Sequence, residues 1–109
     1  MANTFVRSKV CLDIATIDSD WLWSDTWPGH GDGVPVHSIH FIATGAADEC
    51  VLRDGSITGP IVFHRVVTAV GDQVPSYFGG NVIQLALDFS EGTYTALSHI
   101  IIVLDRKGN

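Results

Sequence analysis

Charge is scarce in this chain. Only 17% of its 109 residues are Asp, Glu, Lys or Arg, and six basic residues stand against twelve acidic ones, for a formal net charge of −6. Apart from Arg106 and Lys107 the basic side chains are scattered, so nothing tracks a phosphate backbone and no nucleic-acid partner is expected. Two cysteines, Cys11 and Cys50, are too few for a thiolate zinc site of ordinary spacing. Without an export signal they are expected as reduced, buried thiols. The apolar stretch Ala96 to Leu104 falls far short of the about 20 residues that cross a bilayer as a helix, so no membrane partner is expected. Asp13 and Asp18 interrupt the stretch after Val10, which does not suit a cleaved secretory signal. A Gly-x-Ser-x-Gly elbow, a P-loop lysine and a complete dinucleotide fingerprint are also missing. No catalytic residue is assigned, and the expectation is a protein that is not an enzyme and that uses no cofactor and no metal.

What the chain does have is apolar material. Hydrophobic residues make up 46%, enough for one core and one domain over residues 1–109. So few charges leave little to cover a free monomer's surface, which points to assembly with other chains. Val6, Val10, Leu12 and Ile14 alternate with polar residues as in a strand with one buried face. Val36 to Thr44, Glu49 to Arg53, Ile61 to Val67 and Val82 to Phe89 also read as strands, and Asp54 to Gly59 reads as a hairpin turn between two of them. Gly71 to Pro75 and Gly79-Gly80 bracket what reads as a short connecting segment presenting Tyr77 and Phe78. Thr93 to Leu104 reads as a long final strand, and its run His99-Ile-Ile-Ile-Val-Leu104 suits a central strand covered on both faces. Short strands set apart by Gly, Pro and Asp turns predict an all-β fold, an antiparallel β-sandwich or small jelly roll.

Five histidines invite a metal hypothesis, sharpest at His37 and His40. Positions three apart on a strand face opposite sides, however, which argues against a shared ion. His30 beside Asp32, His64 and His99 could contribute from elsewhere in the chain, but one sequence carries no sign of their convergence. Asp18, Asp20, Asp25 and Asp32 lack the ordered calcium-loop pattern and its closing glutamate. The Trp-rich stretch at about residues 18–34 is expected to be a long loop with at most one short turn or strand, and such loops are often functional. Trp21, Trp23 and Trp27, with Tyr77 and Phe78, are the candidate partner-binding residues, because aromatic side chains offer large contact area at small entropic cost. The alternative, that the tryptophans fold back to plug the end of the sandwich, stands beside it.

The succession Ile39 to Asp48, then Val51-Leu-Arg-Asp-Gly-Ser56, then Gly59-Pro-Ile-Val-Phe63 resembles the strand, hairpin and strand order of small β-rich virion proteins of tailed bacteriophages, and Tyr77 to Leu104 follows their general order. Within that group the resemblance is to capsid decoration or cement proteins and covers roughly the C-terminal two thirds of the chain. The Trp-rich insertion before Gly29 has no counterpart in it. The resemblance implies a non-enzymatic protein of the virion's capsid surface, made in the host cytoplasm. Its partner would be the major capsid protein, and it would form a homo-oligomer, a dimer or trimer. The alternative is a small carbohydrate- or ligand-binding sandwich of a phage tail or host-surface complex. A metal-dependent enzyme of the small β-barrel type would rest on histidine number alone.

Overall fold

A computed structural model of the chain describes residues 3–7, 11–17, 19–27, 29, 33–45, 47–67, 73–94 and 98–105, with the side chains of 73 and 74 left aside. Its elements run β1 (Thr4–Arg7), β2 (Cys11–Thr16), β3 (Trp21–Leu22), a single helical turn α1 (Trp23–Thr26), β4 (Val34–Ile42), β5 (Glu49–Asp54), β6 (Ile61–Val66), β7 (Gln73–Ile83), β8 (Leu85–Leu87) and β9 (His99–Leu104). They form two antiparallel sheets, ordered β1-β2-β9-β4-β7 and β3-β8-β5-β6.

The pairing is nested. β5 pairs with β6, β4 with β7, β3 with β8 and β2 with β9, as in one long hairpin, and the lateral pairs β4–β9 and β5–β8 roll that hairpin into two layers. This is jelly-roll strand order with β1 added at an edge. The expected all-β sandwich is therefore the fold, in its jelly-roll form. The core between the layers follows from period-2 alternation. Leu12 and Ile14 from β2, Ile39 and Phe41 from β4, and Ile100 and Ile102 from β9 meet Cys50, Leu52, Phe63, Leu85 and Leu87 of the other sheet.

Several local expectations are corrected. The first alternating segment is two strands: Arg7 pairs with Leu12 and Phe5 with Ile14 in an antiparallel hairpin, and residues 8–10 between them lie outside the described set. The predicted strand from Val82 to Phe89 is split at Gln84, where the chain leaves the five-stranded sheet for the four-stranded one. The long final strand begins only at His99; Thr93 makes an isolated bridge to Glu49, and residues 95–97 are outside the described set.

Tyr77 and Phe78 lie inside β7 and not in a connecting segment. Gly79 and Gly80 do not end the strand because they bulge it. Both have positive φ, 62° and 88°, a conformation open to glycine at little cost. Across this irregularity Val36 faces Asn81 and Ser38 faces Tyr77, so Phe78, Gly79 and Gly80 are accommodated opposite His37 alone. On its other side β4 also carries an extra residue, since Val36 and Ser38 pair with consecutive residues Leu104 and Val103 of β9.

Candidate functional site

Two surface regions collect the chain's unusual residues. The first is the tryptophan end. Trp21 is 1% exposed; its indole stands edge-on to Trp27 at 5.9 Å between centroids, and its Nε1 donates to Thr26 Oγ1 at 3.0 Å. Trp23, Trp27 and Phe78 are half-buried against the same core. A contact anchor needs surface, and Trp21 has almost none left: it closes the end of the sandwich. Of the five aromatic candidates only Tyr77, at 70%, is widely exposed, and it lies on the five-stranded sheet, away from the tryptophan cluster in sheet order.

Beside this end an open cavity of about 250 Å³ is lined by Asp20, Trp21, Leu22, Asp25, Ser56 and Ile57. Its two carboxylates are employed in backbone capping. Asp20 Oδ1 accepts from the Phe89 amide at 2.8 Å, and Asp25 Oδ2 accepts from the Leu22 amide at 3.1 Å. Asp18, His30 and Asp32, also considered as ligands, lie outside the described residues. Among the described residues no group of three or more His, Cys, Asp or Glu side chains is arranged to hold a metal ion.

The second region is the outer face of the five-stranded sheet. The register aligns Cys11, Val103, Ser38 and Tyr77 in one row and Val6, Asp13, Ile101, His40 and Pro75 in the next, with Ile42 opposite His99 beyond them. Ser38 is buried and the rest are partly or fully exposed. Asp13 is answered by His99, whose Nδ1 lies 2.7 Å from Oδ1. The outer face of the other sheet carries ion pairs beside the exposed Val66. There Glu49 pairs with His64, and Arg53 grips Glu91 through Nε at 2.8 Å and through Nη2 while donating to Gly59 O from Nη1 at 2.6 Å. The hydrogen bonds and charge of Arg53 hold the Glu91 carboxyl below its ordinary range.

The irregularity in β4 corrects the expectation for the two histidines. His37 Nδ1 lies 3.3 Å and His40 Nε2 3.0 Å from the same Ser38 Oγ, and the Tyr77 ring stands edge-on to both imidazoles at 6.2 and 6.3 Å. An extra residue resets the side-chain alternation, so positions three apart share a face here. By contrast Ser98 and His99 diverge as strand neighbours do. Ser98 is buried with Asp48 at 3.2 Å and takes the Thr44 amide at 3.0 Å, whereas His99 turns to Asp13. Cys50 is buried and Cys11 partly exposed, and both are thiols. Burial pushes the Cys50 thiol far up, and that of Cys11 also rises, through burial and the nearby Asp13, so neither is tuned toward a reactive thiolate.

Comparison with protein-family models, curated proteins and solved structures finds no match to any of them. Sequence reading singled out Tyr77 and the histidines of this face but missed Ile42, Ile101 and Val103, which are individually ordinary. The signal was nonetheless present in β9, where both phases of the strand are apolar.

Proposed function

We propose that this chain is a non-enzymatic structural protein that attaches to a larger protein shell through the outer face of its five-stranded sheet, as a decoration or cement protein on the capsid of a tailed phage. The carrying observation is β9. Its sequence is that of a strand buried on both faces, yet the fold buries only one: Ile100 and Ile102 are fully enclosed while Ile101 and Val103 are left half-open beside Ile42 and Tyr77. Antiparallel sheets that face water ordinarily place polar residues there, and on the opposite sheet the central β5 does so with Glu49 and Arg53 in ion pairs. An apolar outward phase in a central strand supports a partner as its cover.

The shell as that partner is supported by the resemblance in strands and turns from Ile39 to Phe63, and the jelly roll is an architecture that virion proteins use. The major capsid protein would supply the opposing surface. About 800 Å² per partner suffices for specific attachment, and many copies or a dimeric or trimeric form add avidity. Co-sedimentation with assembled cognate shells, and with shells of an unrelated phage, tests this. Saturable binding to the cognate shell alone, at a copy number matching its symmetry, is expected; failure to bind it rejects the reading.

The cavity beside Asp20 and Asp25 favours a second reading, a small ligand- or carbohydrate-binding module. Ring stacking on a sugar needs an open indole face, and the enclosed Trp21 does not offer one. A glycan array without hits removes the carbohydrate form of this reading.

A further inference from the structure

We infer that His37 and His40 form a two-histidine site for a divalent transition-metal ion, with copper bound most tightly and zinc more weakly. This does not rest on the shell-binding reading. Its basis is the convergence that the irregularity in β4 creates: two imidazole nitrogens from different residues approach a single atom, Ser38 Oγ, at 3.3 and 3.0 Å. Imidazole nitrogen suits copper, nickel and zinc, and affinity among such ions peaks at copper(II). Metal–nitrogen bonds are about 2.0–2.1 Å long for zinc, so binding exchanges two ordinary hydrogen bonds for two short coordinate ones as the rings draw together.

The surroundings permit that movement and limit others. His37 is exposed and His40 partly so, which lets the rings turn and leaves further coordination positions to water. Tyr77, directly opposite Ser38, meets both imidazoles and restrains them from swinging apart. The other described histidines are engaged differently, His64 with Glu49 on the opposite sheet and His99 with Asp13. Asp13 aligns with Ile101, which in turn aligns with His40, so a carboxylate shares the face that would receive the cation.

The test uses full-length protein without an affinity tag, stripped with a chelator and titrated with copper(II) chloride near neutral pH by calorimetry. One copper ion per chain is expected, with a paramagnetic resonance spectrum showing two nitrogen donors and with zinc displaced by copper from the same site. His37→Ala and His40→Ala should each weaken binding at least about tenfold, while His64→Ala leaves it unchanged. Circular dichroism on each variant separates loss of the site from loss of the fold, and His→Gln replacements at the same positions serve where an alanine variant is unfolded. The proposal is overturned if wild-type protein takes up no stoichiometric copper, if either of the two substitutions in folded protein leaves binding intact, or if His64→Ala removes it.

Discussion

Trp21 and Tyr77 occupy opposite extremes of exposure, 1% against 70%, and their substitution should separate folding from contact. Trp21→Ala removes a fully enclosed indole, its edge-on packing against Trp27 and its bond to Thr26. Large-to-small replacement of a buried aromatic costs about 3–5 kcal/mol, a large share of what a domain of this size has to lose. Tyr77→Ala should stay within about 0.5 kcal/mol of the parent, as exposed substitutions usually do. Urea unfolding of the two variants measures both, and equal midpoints would show that Trp21 does not seal the core. A variant lacking all three tryptophans would therefore report on unfolding, whereas Tyr77→Ala can report on attachment.

Among the elements, glycines decide where strands bend, and two of them should respond differently. Gly33 has φ of 102°, and a Cβ there would meet the Ile83 carbonyl oxygen at 2.5 Å. That obstacle is backbone, so Gly33→Ala combines a disfavoured conformation with a clash that no side-chain rotation relieves, and a loss above about 2 kcal/mol is expected. Gly79, with φ of 62°, has open space at the Cβ position, and Gly79→Ala should cost about 1 kcal/mol from conformation alone. Denaturation midpoints in that order are the check; the reverse order would refute the placement of the β7 bulge. The hairpin through Asp54 to Gly59 was legible because turn residues and β-branched strands adjoin there. The bulge was not, since Gly-Gly carries the same local signal whether it ends a strand or kinks one, and only the β4 register tells the two apart. For the same reason the shared face of His37 and His40 could not be read from their spacing.

The clip between β5 and the turn after β8 makes a prediction in pH. Arg53 hydrogen bonds lower the Glu91 carboxyl in the folded state, so this group's stabilising contribution is complete above the ordinary glutamate value of about 4.3. It is lost as pH falls through the lower, folded value. Unfolding midpoints should drop on acidification below that range, and Glu91→Gln should flatten this part of the profile. An unchanged slope in the variant would mean that other carboxylates carry the acid sensitivity.

Across the whole molecule the two layers share one core and differ in what they show to the outside. Jelly-roll pairing places β9 between β2 and β4, so its outward residues fall in the middle of a sheet and not at a rim. A partner covering that position excludes water from the centre of its contact, where binding energy concentrates. Ile101→Lys puts a charge there, and its register neighbour Asp13 can pair with the new ammonium, so the sheet itself should tolerate the change. Val66→Lys places the same charge on β6, at the edge of the other sheet, where Val66 is 54% exposed. Both variants should remain folded, and only Ile101→Lys should lose co-sedimentation with cognate shells. Loss by Val66→Lys alone would move the contact to the opposite layer, and retention by both would leave the five-stranded face without a role in attachment.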